Sequence, residues 1–356
     1  MINKKTSITF SILTSLLMGA SITSCSPEDG INGINGIDGI NGIDGVDGAD
    51  GADGADGADG EDGADGEDGV DNSGKTYLIL TGDITDAEAA EKILNDVGSD
   101  TQYIRVEETT ELTTLDFSAI TEDLQLIDLI IEDNDALTSV MLPSVTSVSE
   151  DLYIGDNILL TTLSLDNITR VYEYIEIYDN LALTSIDFPM LKLIGSDMYL
   201  EYNDALTSIN FPLLESVRGD IQINDNPLLT SISLPLLNSI GDDLYFSDND
   251  ALTSIAIPLL ESVNDRLEIS NNSSLEALTT PALATIGGNN IELDENKLNL
   301  SSVNGLLVHL AGISPMLTGK TIDLRQTPDT VPTGDGQTAI STLEGNSNTV
   351  NVDQDL

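Results

Sequence analysis

Tryptophan is absent from this chain, and cysteine and histidine occur once each. A lone cysteine, Cys25, leaves the chain without an internal disulfide. A lone histidine, His309, with no second imidazole, excludes the Cys/His ligand sets that hold zinc. Placed on the apolar side of a helix near the end of the chain, it reads as a packed helix residue. Bases are scarce too, 12 against 62 acids, for a formal net charge of −50. Nucleic acid and bare anionic lipid need a basic surface, so both are excluded as natural partners. The acidity fits a salt-exposed or divalent-cation-rich exterior. No glycine-rich phosphate loop joins a strand to a helix. Carboxylate pairs abound, but among so many acids their proximity says nothing about acid–base chemistry. The chain is read as a non-enzyme with no catalytic residue, no metal site and no cofactor.

What the chain does contain is a period of 23 residues, clearest in LTSIDFPMLKLIGSDMYLEYNDA and LTSINFPLLESVRGDIQINDNPL from Leu183 onward. Its opening leucines are Leu137, Leu160, Leu183, Leu206, Leu229, Leu252 and Leu275. A fixed period of this size marks a solenoid, each repeat one coil stacked on its neighbours. With the opening leucine at offset 0, apolar residues recur at offsets 3, 5, 8, 11, 15 and 17. In one coil these are Leu206, Ile209, Phe211, Leu214, Val217, Ile221 and Ile223. The spacing of two within SINF and DIQI predicts strands, and the longer steps between them predict turns. The seven side chains find a core only when coils stack, about 4.8 Å apart.

Offset 20 holds Asn157, Asn180, Asn203, Asn226, Asn249 and Asn272, and Asn134 takes the same corner in the longer coil before them. An amide that both donates and accepts, repeated at one corner, predicts a structural ladder that satisfies turn backbone. Proline at offset 6 (Pro143, Pro189, Pro212, Pro235, Pro258, Pro281) marks the end of the SINF strand. The repeated LTSI…PLL…SI and DLYI..N segments resemble the receptor L-domain family. These are leucine-rich-repeat-like β-solenoids also seen in fungal wall and bacterial surface proteins. The first step of four residues, Val148 to Leu152, favours that variant over the plain leucine-rich repeat. The resemblance, over roughly residues 75 to 300, implies a binding or structural surface protein and carries over no ligand. The expected fold is mainly β: a right-handed β-solenoid of 23-residue coils with α/β caps, preceded by a disordered stalk.

Residues 1–24 read as a lipoprotein signal peptide, with Lys4 and Lys5 ahead of an apolar stretch from Ile8 to Ala20. The end, Ile22-Thr23-Ser24-Cys25, resembles a bacterial lipobox. That resemblance implies cleavage before Cys25 and acylation of its thiol and new amine, an anchor in the bacterial outer membrane or cell surface. Residues 25–73 form the lipidated cysteine and a collagen-like spacer, with glycine at every third position from Gly30 to Gly69. It lacks proline after Pro27 and carries 15 acids without a base, so a self-repelling extended spacer is expected rather than a triple helix. Its acids recur every third residue, which matches no EF-hand loop and predicts at most weak, non-site calcium binding. Removing those 15 acids and Lys4 and Lys5 from 62 acids and 12 bases leaves residues 74–356 at −37.

Residues 74–111 read as the N-terminal cap. TYLILTGDI predicts a strand and TDAEAAEKILNDVG a helix, opened by a Thr85/Glu88 capping box and closed by Gly98 in the left-handed C′ position. Ile104 and Val106 then start the coil pattern, with Thr109 in place of the ladder asparagine. Solenoid repeats occupy residues 112–298. The first is two residues long, the excess in TEDLQLIDL, and the last slips by one at GGNNIELDENK. Residues 299–356 read as the C-terminal cap: a helix from Ser301 or Ser302, strand TIDLRQ, helix QTAISTLEG and strand NTVNV.

For ligand binding, the DLYI strands present offsets 14, 16 and 18 outward. Offset 16 reads Tyr153, Glu176, Tyr199, Gln222, Tyr245, Glu268, with Tyr174 and Tyr178 flanking it in one coil. Three tyrosines two strand spacings apart predict a shallow exposed aromatic track suited to a glycan or a protein epitope. The same pattern also follows from the β-propensity of tyrosine and duplication of coil pairs. A second row, Thr138, Thr161, Thr184, Thr207, Thr230 and Thr253, resembles ice-binding faces, but its place at a turn predicts hydroxyls that satisfy backbone. Two functions follow: a lipid-anchored recognition or adhesion module, or a structural coat or spacer without a ligand.

Overall fold

The computed structural model describes residues 76–354. The expectations for the signal peptide, Cys25 and the glycine-rich spacer fall on residues outside that range. The described part is a mainly β solenoid of stacked coils of about 23 residues, compatible with a leucine-rich-repeat-like fold. Each coil contributes three parallel strands. In the coil from Leu206 they are Ser208–Asn210, Ser216–Val217 and Ile221–Asn224. Every strand pairs with its counterpart one coil away, as in Ile186 with Ile209, Ile194 with Val217 and Leu200 with Ile223.

The middle strand of each coil is a difference from expectation. The SV and SI pairs, read as turns, form an eight-stranded sheet of their own. Two residues with one inward side chain are too short to show alternation, so sequence pattern alone cannot separate them from a turn.

The largest sheet has twelve strands. In chain order they are β1 (Tyr77–Gly82), β2 (Tyr103–Thr109), β3 (Asp128–Glu132), β4 (Leu152–Gly155), β5 (Ile175–Tyr178) and β6 (Met198–Glu201), followed by β7 (Ile221–Asn224), β8 (Leu244–Ser247), β9 (Leu267–Ser270), β10 (Asn290–Glu292), β11 (Thr321–Asp323) and β12 (Thr349–Asn351). The two irregular coils appear where expected. The register shifts between Leu124 and Gln125, and Leu267 faces Ile291, one residue beyond the period.

All seven apolar positions of the Leu206 coil are buried. Phe188 and Phe211, on adjacent coils, stack with ring centroids 5.4 Å apart. At about 1.5–3 kcal/mol per buried aliphatic or aromatic side chain, this column is the dominant favourable contribution.

The asparagine ladder forms and is longer than expected. Each rung from Asn134 to Asn272 is fully buried. Asn203 donates from Nδ2 to the carbonyls of Ile177 and Glu201 at 3.0 Å, and its Oδ1 accepts the Asn180 amide at 3.2 Å. Thr109 closes the N-terminal end, donating Oγ1–H to Asn134 Oδ1 at 2.7 Å. At the other end Asn296, also buried, accepts from the Asn272 amide at 3.0 Å. Gln326 then takes the same corner, donating to the carbonyls of Leu293 and Leu324. The one-residue slip hid Asn296, and the intervening helix hid Gln326. The residue before each rung is left-handed, with φ of 50–57° from Glu108 to Glu295. Aspartate or asparagine fills most of these positions, as expected of short side chains that tolerate this conformation.

The caps extend the large sheet at both ends. β1 and β2 flank helix α1 (Asp86–Asp96), whose capping box is present. Gly98 is not its left-handed C′ residue. The C-cap Val97 is extended and the Gly98 amide instead donates to Thr101 Oγ1 at 3.0 Å. Helix α2 (Leu300–Gly312) starts one residue before Ser301, because Asn299 caps it by accepting from the Ser301 and Ser302 amides at 3.1 Å. His309 is half-buried and its Nε2 lies 2.8 Å from the Leu283 carbonyl, docking α2 on the last coil. Helix α3 (Asp335–Gly345) leads to β12. No described helix is long and apolar enough to cross a membrane.

Candidate functional site on the large sheet

Because offsets 15 and 17 turn inward, offsets 14, 16 and 18 lie on the outer face of the twelve-stranded sheet. The offset-16 row is in register as expected. Tyr153 faces Glu176, Glu176 faces Tyr199, and Tyr199 faces Gln222. Gln222 faces Tyr245, which faces Glu268.

Its exposure is not as expected. Tyr153 and Glu268 are each only 7% exposed, and Glu176, Tyr199, Gln222 and Tyr245 are half-buried. The predicted exposed aromatic track is instead a packed outer layer. Strands about 4.8 Å apart press bulky outward side chains against one another, so they are covered by their neighbours rather than by the core.

Packing is close around β4 and β5. The hydroxyls of Tyr153 and Tyr178 touch, and Tyr178 donates to Asp156 Oδ2 at 3.0 Å. The Tyr178 ring crosses Gly155, where an added Cβ would sit 2.1 Å from its Cε1. Tyr178, expected to flank an open track, is therefore buried. Burial, reinforced by the charges of Glu107 and Asp133, lifts the Glu132 carboxyl to about 7. Burial together with Glu201, Asp151 and Glu132 does the same to Glu176, at about 7. Burial beside Asp128 lifts Asp151 to about 6. Burial thus raises all three carboxyls on this part of the face above the ordinary carboxylate range.

Further along, the face is knitted by polar contacts. Asp197 Oδ1 accepts the Asp220 amide at 2.6 Å, Asp220 Oδ1 the Asp243 amide at 2.8 Å, and Asp243 Oδ1 the Arg266 amide at 2.8 Å. This second ladder was visible in the recurrence of aspartate at offset 14. Arg266 pairs with Glu268 and with Glu292, the latter at 2.5 Å, and its guanidinium lies 5.7 Å from the Tyr245 ring centroid. A shallow cleft of about 300 Å3 follows, bounded by Glu268, Ser270, Glu292, Asp294, Asp323 and Arg325. Among the described residues, no group of three or more His, Cys, Asp or Glu side chains is placed to hold a metal ion.

The threonine row has the structural role expected. Thr161, Thr207 and Thr253 each donate Oγ1–H to the carbonyl of the threonine one coil earlier, at 3.0–3.1 Å. The aromatic side chains that do reach solvent at mid-solenoid are Tyr172 and Tyr174, 44% and 39% exposed. Tyr172 was missed because it directly follows a short strand, Arg170–Val171, that was read as a turn. No protein-family model, curated protein or solved structure matches this chain.

Proposed function

We propose that this chain is a recognition or adhesion protein of a bacterial surface, anchored through lipid on Cys25 and held away from the membrane by its glycine-rich spacer. In this reading the solenoid binds a glycan or protein ligand and catalyses nothing. It needs no cofactor, and calcium contributes at most weakly, through general acidity. The observation that carries the reading is the large sheet. Twelve parallel strands present outward rows of polar and aromatic side chains at a fixed spacing, with no covering layer on that face among the described residues.

The test is a binding screen of the purified protein against glycan and protein panels, with and without calcium. Saturable binding of one ligand class is expected. A folded protein that binds nothing in either panel would leave the other reading, a coat or spacer without a ligand.

A further inference from the structure

The eight-stranded sheet has its outward residue at offset 10, before the inward residue at offset 11, and the residue at offset 12 opens the bend that follows each strand. Along most of its length these are serine and glycine, such as Ser216, Ser239, Gly241 and Ser262. The exception lies at mid-solenoid. Arg170 pairs in register with Leu193, and Leu193 with Ser216. The amides of Tyr172, Gly195 and Arg218 each donate to a carbonyl one coil earlier, at 3.0, 2.9 and 3.1 Å. Tyr172 and Arg218 therefore stand two coils apart, about 9–10 Å, with only Gly195 between them. No side chain can fill that gap, because a Cβ on Gly195 would sit 1.9 Å from the Tyr172 carbonyl oxygen. Half-buried Leu193 completes the floor.

Charge distinguishes this slot from the rest of the molecule. Arg170, Lys192 and Arg218 are all exposed, and none forms an ion pair among the described residues. The other described bases are engaged. Lys92, Arg105, Arg266, Lys297 and Arg325 pair with carboxylates, and Lys320 donates to the carbonyls of Gly287 and Gly288. Arg170 also donates to Tyr172 Oη at 3.4 Å, so a cation and an exposed ring form one wall.

We infer that this slot binds a carboxylated sugar, its ring face on Tyr172, its apolar edge on Leu193 and Gly195, and its carboxylate between Arg170 and Arg218. The inference rests on the recognition reading and names its ligand class. Tyrosine rings offer a flat apolar face with a polar rim, as a pyranose requires. Arginine forks match a carboxylate. An acidic peptide fits less well, because the strand amides here are already used in the ladder and cannot receive an added strand. The net charge of −37 on residues 74–356 and the nearby Glu173 and Glu215 oppose a dense polyanion. The ligand is therefore a mostly neutral glycan with isolated carboxylates.

Calorimetric titration of the purified protein tests this with oligosaccharides that carry one uronate on a neutral chain, beginning with glucuronate-substituted xylotriose. Each is compared with its uncharged parent and with a hexaglutamate peptide. Saturable binding of a charged oligosaccharide is expected, about tenfold or more weaker for the uncharged parent, for Arg218→Ala and for Tyr172→Ala, at an unchanged urea midpoint. The slot is overturned if no charged oligosaccharide binds, if hexaglutamate binds as tightly, or if both variants bind like wild type. The recognition reading fails separately, only when the broad glycan and protein screen also yields no ligand.

Discussion

Asn203 contributes two donors and one acceptor that tie its own coil to the one before it, and its partners in that earlier coil, the Ile177 carbonyl and the Asn180 amide, belong to fully buried residues. Truncation leaves buried carbonyls and an amide unpaired, at about 1–3 kcal/mol for each group. Asn203→Ala should therefore lower stability in urea by at least about 2 kcal/mol, and Asn203→Asp should do no better, since a carboxylate cannot donate. A loss below about 0.5 kcal/mol would mean that the ladder is not a structural support. The outer and inner residues of β6 give a second contrast. Leu200 is fully buried in the column, so Leu200→Ala should cost about 2–5 kcal/mol. Half-buried Tyr199 should cost roughly 1 kcal/mol as alanine, because its neighbours cover it only in part. A larger loss for Tyr199→Ala than for Leu200→Ala would invert the pleat.

Helix α1 seals the first coil, and its capping box satisfies two of its open amides. Glu88 N–H donates to Thr85 Oγ1 at 3.4 Å and Thr85 N–H to Glu88 Oε2 at 2.9 Å. Thr85→Ala should cost about 1 kcal/mol, measured as a shift in urea midpoint. Much of this level was legible beforehand. The 23-residue period announced the coils, the asparagines the ladder, and Thr85 with Glu88 the helix start. Elements shorter than their own period were not legible. Ser216–Val217 is too brief to alternate, so the sheet that presents Tyr172 and Arg218 stayed hidden. Pattern also gives the direction of a side chain but not its cover. The Tyr153 row was placed on the correct face and in the correct register, yet its burial depends on neighbours in adjacent coils.

Across the whole molecule, acidity should shape stability in an unusual direction. Glu132 and Glu176, at about 7, and Asp151, at about 6, are raised above the ordinary carboxylate value near 4. A group raised on folding stabilises fully below its unfolded value, and that contribution is lost as pH climbs through its folded value. The thermal midpoint should accordingly fall between pH 5 and pH 8, and Glu176→Gln should raise it at pH 8 with little change at pH 5. A wild-type midpoint that climbs over this range would show these carboxyls ionised without penalty. For location, Cys25→Ser should move the protein from the membrane fraction to the soluble one; unchanged fractionation would remove the lipid anchor.

Recognition through the stacked sheets is tested most directly by hydrogen–deuterium exchange of the purified protein, with and without the ligand that the binding screen identifies. The ladder amides, Tyr172, Gly195 and Ser196 included, are already protected, so a ligand on these faces should slow exchange at the corner residues between the two large sheets, at Glu173, Tyr174 and Asp197. Protection confined to the caps, residues 77–98 or 300–351, would contradict recognition by the solenoid.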